Sequence, residues 1–106
     1  MTGLGERLAR LREFSGLSAS ELGLMAGLSH AIVGLLERDD RPNPGALTVL
    51  KLARVLGTTV EYLLEGVGGE PTKEKVLEAV EAARARLAES ELPLDSERPA
   101  RSGTGG

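Results

Sequence analysis

His30 is the single histidine in a chain of 106 residues that contains no cysteine, and those two facts decide most of the chemistry open to it. Without cysteine there is no thiolate nucleophile, no disulfide and no Cys-ligated zinc. One histidine, with no convergent acid pair in a recognisable loop, supplies neither a nucleophile and base nor a metal-ligand set. The expectation is therefore a non-enzyme with no catalytic residue, no metal and no cofactor. Glycines near a lysine in the segment GVGGEPTK invite a phosphate-loop reading, but the spacing is wrong and no strand precedes them. What His30 can do is exchange hydrogen bonds, and the plainest setting for it is a solvent-facing helix.

The stretch that must position His30 is ASELGLMAGLSHAIVGLLER, Ala19 to Arg38. Counting from Ala19, apolar residues occupy the fourth, eighth, tenth, fifteenth and eighteenth places (Leu22, Ala26, Leu28, Val33, Leu36), with small Gly23 at the fifth. Two helices crossing at roughly 90–120° need contacts at those places, and Gly27 stands where the turn between them needs a positive φ. The spacing predicts a helix-turn-helix.

The flanking elements follow from periodicity and caps. Leu4, Leu8 and Leu11 recur at i, i+4, i+7 and predict an amphipathic first helix over Leu4 to Ser15, stopped by Gly16, with Arg7, Arg10 and Glu13 on its other face. Ser18 with Glu21 three residues on is a capping box that starts the second helix at Ala19. Ser29 is expected to cap a third helix from His30 to Arg38. Asp39 to Gly45 is dense in turn residues. A fourth helix, Ala46 to Leu56, is expected to bury Leu47, Leu50, Leu52 and Val55 and to end at Gly57. Thr59 caps a short fifth helix, Val60 to Glu65.

Beyond the hinge at residues 66–71, Pro71 is placed to open a further helix reaching about Ser90. Its stripe Val76, Val80, Ala83 and Leu87 is spaced 4, 3, 4 like a coiled-coil seam. So thin a stripe leaves an isolated helix marginal in water, so it needs a partner surface, either a second copy or the globular domain. Three regions result: a helix-turn-helix domain at 1–66, a hinge and amphipathic helix at 67–91 serving dimerisation or packing, and a disordered tail at 92–106. The fold class expected is all-α, five short helices followed by the C-terminal helix and tail.

Composition sets further bounds. With 41% hydrophobic residues but one Phe, one Tyr and no Trp, the core must be aliphatic. No apolar run approaches the roughly 18 residues of a membrane span and the N-terminus lacks a signal-peptide core, so a cytoplasmic protein with no membrane partner is expected. The net charge is −3, and residues 1–66 carry seven cations against eight acids, or −1. That argues for weak non-specific affinity for nucleic acid, which comes mainly from phosphate neutralisation.

With the helices laid out, residues 4–66 resemble the lambda-repressor-like, Cro-type helix-turn-helix domains of the XRE family. The resemblance is carried by the twenty-residue stretch and by LARLREFSGLS, Asn43-Pro44, LKLARVLG and TTVEYLLEG. Arg12 in the first helix with Glu37 at the end of the third is similar to an ion pair that ties such scaffolds together. The resemblance implies a five-helix bundle that docks its third helix in the DNA major groove, usually as a two-fold dimer. The reading positions it implies are His30, Ala31, Gly34 and Leu35, and the first position of the second helix, often a glutamine that touches phosphate, is Ala19. The chain departs from the family at those places, where glutamine, arginine, serine or threonine is common, and in carrying Asp39-Asp40 where a Gly-Lys pair often follows.

Two functional readings follow. For double-stranded DNA, His30 bonds a purine N7, Ala31 or Leu35 packs on thymine methyls, and Ser18, Ser29, Arg38, Arg41 and Asn43 hold phosphates with two helix N-termini. Alternatively Leu24, Met25, Ile32 and Leu35 form an exposed apolar patch that binds a protein partner. In either case a homodimer through Val76, Val80, Ala83 and Leu87 is one use of the last helix.

Overall fold

A computed structural model describes residues 3–38 and 44–101, with side chains as far as residue 89. Among the described residues there are six helices and no strand: α1 (Leu4–Ser15), α2 (Ala19–Met25), α3 (Ile32–Glu37), α4 (Ala46–Leu56), α5 (Val60–Glu65) and α6 (Lys73–Arg101). The fold is all-α, and its core is aliphatic. Leu8, Leu11, Leu22, Val33, Leu36, Val49, Leu52, Leu56 and Leu63 pack together with almost no exposure.

The caps explain where the helices start. The Ser18 hydroxyl oxygen accepts the Glu21 N–H at 3.1 Å while the Ser18 N–H donates to Glu21 Oε1 at 2.9 Å, a complete capping box on α2. Those bonds to Ser18 hold the Glu21 carboxylate below its ordinary pKa. Thr59 accepts the Tyr62 N–H at 3.0 Å and caps α5. α6 begins at Lys73 rather than at Pro71, and the Thr72 hydroxyl caps it by accepting the Lys75 N–H at 3.2 Å.

Two further expectations need correction. The third helix begins at Ile32 rather than His30, and no side chain caps it. A serine caps by accepting an N–H two or three places into the helix. Ser29 lies too early for that, and its carbonyl accepts the Ile32 N–H instead. On α4 the buried face is Val49, Leu52, Ala53, Val55 and Leu56. Leu47 is exposed and Leu50 half-buried. Val49, Leu52, Ala53 and Leu56 stand at i, i+3, i+4, i+7, whereas Leu47, two residues earlier, projects about 200° away.

α6 lies along α1 and α4, and its middle turns, at Arg84, Leu87 and Ala88, reach α2. Of the two partner surfaces open to its stripe, the chain's own domain takes three residues: Val76, Val80 and Ala83 are buried within the chain. A dimer seam through those three is therefore corrected, because their apolar area is already removed from water by α1 and α4. Leu87 alone of the four remains 40% exposed. The backbone of α6 is helical to Arg101, past the Ser90 end of the stripe. Of the segment read as a tail, residues 102–106 lie outside the described residues.

A polar clamp fixes the entry to α6. Arg10 donates from Nε and Nη2 to the two carboxylate oxygens of Glu70 at 2.9 and 3.1 Å, and the Tyr62 hydroxyl donates to Glu70 Oε1 at 3.2 Å. The hydrogen bond from Arg10 holds the Glu70 carboxyl below its ordinary pKa, and burial raises that of Tyr62. A depressed carboxylate pKa means that the clamp contributes stability above the unfolded value, near ~4.3, and loses it as pH falls through the folded one. Glu70→Gln is therefore expected to lower the melting temperature at pH 7 and to have a shrinking effect below pH ~4. Thermal unfolding of both chains across that range checks this, and a difference independent of pH would exclude the clamp.

Candidate nucleic-acid interface

The turn between α2 and α3 is set by two glycines for different reasons. Gly27 has φ of 75° and its N–H donates to the Leu24 carbonyl at 3.0 Å, while the Leu28 N–H donates to the Gly23 carbonyl at 2.8 Å. This left-handed conformation costs a residue with a Cβ about 1–2 kcal/mol. Gly23 matters for space: a Cβ there would lie 2.7 Å from the Ser29 carbonyl oxygen. α2 and the start of α3 can approach only because that atom is missing.

The angle of α3 is held from behind. Arg12 donates from Nε and Nη2 to Glu37 Oε2 and Oε1 at 2.6 and 3.0 Å, and from Nη1 to the Leu17 carbonyl at 2.9 Å. The two side chains are only 20% and 14% exposed. One guanidinium thus joins α1, the end of α3 and the residue before the α2 cap, in the fork geometry that Arg and carboxylate share. The pair positions the outer face without belonging to it.

On that outer face Ser29, His30 and Ala31 are exposed together in the turn that leads into α3, with half-buried Gly34 and Leu35 on the helix itself. Ser18 is exposed and retains its O–H as a donor after accepting the capping bond. Ala19 is partly buried and packs against the core. Arg38, at the C-terminal end of α3, is exposed, and its Nη1 lies 3.3 Å from where a Cβ on Gly34 would stand. Arg41 and Asn43 lie outside the described residues, as do Asp39 and Asp40.

Of the four residues of the alternative apolar patch, Leu24 is exposed and Met25, Ile32 and Leu35 are half-buried. Met25 and Ile32 are partly buried and pack against the core, so Ile32 offers little to a partner. Leu24 is 61% exposed and, with Met25, lines a groove against α6 that Ile32 and Leu35 do not line.

One buried cation escapes the sequence reading. Arg7, assigned to the outward face of α1, is 8% exposed and donates from Nε to the Leu63 carbonyl at 3.0 Å and from Nη2 to the Leu64 carbonyl at 2.8 Å. It satisfies the last turn of α5. The available signal is its place three residues after Leu4 and four before Leu11, on the apolar face itself. Among the described residues no group of three or more His, Asp or Glu could hold a metal ion, and no helix is long and apolar enough to cross a membrane.

Two short helices crossing at a positive-φ glycine inside an aliphatic helical bundle define a helix-turn-helix protein. The chain belongs to the XRE-type helix-turn-helix family, whose model matches residues 8–63, more than half its length. A protein of Bacillus subtilis (strain 168), named as the uncharacterized HTH-type transcriptional regulator RghRB, is 32% identical over 82 residues, 76% of this chain and 59% of the relative. The chain thus spans less than two thirds of that relative's length. No solved structure matches the chain.

Proposed function

We propose that this chain is a sequence-specific DNA-binding transcriptional regulator, cytoplasmic and acting as a homodimer on two half-sites about one helical turn, ~34 Å, apart. The observation that carries the reading is the outward display of Ser29, His30 and Ala31 at the entrance to α3, on a helix whose angle Arg12 and Glu37 fix. Family membership and the name of the B. subtilis relative support the regulatory role.

In this geometry His30 donates to or accepts from a purine edge in the major groove, Ala31 packs on a thymine methyl, and Ser18 and Ser29 bond phosphates. Few cations flank them, so the affinity falls less steeply with salt than that of a strongly basic module. The test is selection from a pool of random duplexes at low and at moderate salt. Enrichment of one sequence is expected, and no enrichment at either salt ends the DNA reading. On the selected duplex, His30→Ala is expected to cost ~1–3 kcal/mol and to relax preference at one base pair. A uniform loss across all sequences, read by fluorescence anisotropy, would move His30 to a phosphate contact. A second reading, protein contact through α2, is favoured by the exposure of Leu24.

A further inference from the structure

We infer that α6 braces the helix-turn-helix from outside, and that Arg84 and Leu87 are positioning residues on which DNA affinity depends although they touch no DNA. The inference rests on the proposed DNA reading and names what sets the geometry of that same site.

α2 needs such a hold. It has seven residues and buries only Leu22 and Gly23 within its span, and a helix so short has no stability of its own in water. It packs on α3, α4 and α6. Since α3 is shorter still, with six residues, the firm supports of α2 are the longer helices α4 and α6. α6 is fixed independently of α2, because Val76, Val80 and Ala83 are buried and Arg10 and Tyr62 hold Glu70 at its entry. An element anchored elsewhere can act as a brace.

The contact lies where it is passed on to the reading residues. Arg84, Leu87 and Ala88 line one wall of a groove of about 310 Å³, and Glu21, Leu24 and Met25 line the facing wall on α2. The Leu24 carbonyl accepts the Gly27 N–H at 3.0 Å, and the neighbouring Gly23 carbonyl accepts the Leu28 N–H at 2.8 Å. Those two bonds form the turn, and beyond it the Ser29 carbonyl oxygen occupies the space that Gly23 leaves open. A tilt of α2 is therefore carried directly to Ser29, His30 and Ala31.

Charge acts on the start of the same helix. The Glu21 carboxylate closes the capping box, and its bonds with Ser18 chiefly, with the Arg84 charge in smaller part, keep it below its ordinary pKa. Arg84 thus draws on the first turn of α2 while Leu87 borders its last. Leu24 and Leu87 stay 61% and 40% exposed, so the joint is partial. Truncating Leu87 loosens α2 without opening the core.

The test uses the full chain, with affinity for the selected duplex read by anisotropy and local stability read by amide exchange. Leu87→Ala should weaken binding about fivefold or more and quicken exchange at residues 19–25 while leaving α4 unchanged. Leu87→Met, which conserves volume, should restore both. Leu77→Ala is the control, since Leu77 is 38% exposed on the same helix and lies outside the groove; it should change neither. Natural affinity in Leu87→Ala, an equal loss in Leu77→Ala, or exchange that quickens equally in α2 and α4 each overturns the inference.

Arg84→Gln should also weaken binding, with the natural dependence of affinity on salt. A log–log salt slope shallower by about 0.9 puts Arg84 on a phosphate and overturns its positioning role. Should selection yield no duplex, the DNA reading falls. Faster exchange confined to residues 19–25 in Leu87→Ala then still establishes the brace, and unchanged exchange there removes it.

Discussion

Gly57→Val is expected to lower the free energy of unfolding by about 3 kcal/mol and to release α6 from the domain. Gly57 closes α4 at φ of 73°, and a Cβ there would lie 2.7 Å from the Ala79 Cβ and 3.4 Å from the Lys75 carbonyl oxygen. The left-handed backbone costs about 1–2 kcal/mol for any residue with a Cβ, and forcing atoms into an occupied contact adds about 1–3 kcal/mol. The overlap is with α6 and not with α4 itself, so the system can relieve it by moving α6. Amide exchange along residues 73–83 should therefore accelerate more than exchange in α1.

Two alanine variants separate strain from overlap. Gly27→Ala meets the same sign of φ, at 75°, but a Cβ there has open space around it. It should lose only the backbone contribution, about 1–2 kcal/mol. Gly57→Ala should lose more, by the cost of the contact with Ala79. Equal losses in urea denaturation would mean that α6 does not rest on Gly57.

Why the sequence predicts some of this and not the rest is visible in single residues. Helix starts were legible at Ser18 and Thr59, where a side chain does the capping, because that bond is local and leaves a fixed spacing. The start of α3 was not, because the turn is built from backbone bonds that any sequence can make. The α4 face was ambiguous because Leu47, Leu50, Leu52 and Val55 compete with Val49, Leu52, Ala53 and Leu56, and only tertiary contact chooses between two overlapping apolar sets. The partner of the α6 stripe was undecidable for the same reason. A 4, 3, 4 spacing specifies that a face must be covered and says nothing of what covers it.

The site divides along the same line. The positions that hold the turn, Gly23 and Gly27, are legible because geometry restricts which residues fit them, whereas the Arg12–Glu37 pair is legible only through the family resemblance. The outer positions are set by the ligand, and a histidine, an alanine and a serine there satisfy the fold equally well whatever they touch. Arg7 is the instructive case. A charged residue on an apolar face reads as a solvated one, yet here its stem packs inward and its head meets carbonyls that the end of α5 leaves unpaired.

The second large effect lies at the pair behind α3. Arg12→Ala is expected to destabilise the domain by about 3 kcal/mol, at the lower end of the range for breaking a buried pair because both side chains retain some exposure. It strands the Glu37 carboxylate and leaves the Leu17 carbonyl without the donor at 2.9 Å, each a cost of desolvation with no compensating bond. Replacing both partners with apolar residues of similar size, Arg12→Met with Glu37→Leu, should cost clearly less than the sum of the single changes, and the shortfall in a double-mutant cycle measures the coupling. DNA binding should not follow stability in this series. The apolar pair restores packing without the two-bond fork that fixes the end of α3 against α1, so a chain near natural stability should bind the selected duplex more weakly. Undiminished binding by that double variant would show that core packing alone sets the angle of α3, and that the ion pair serves the fold rather than the reading face.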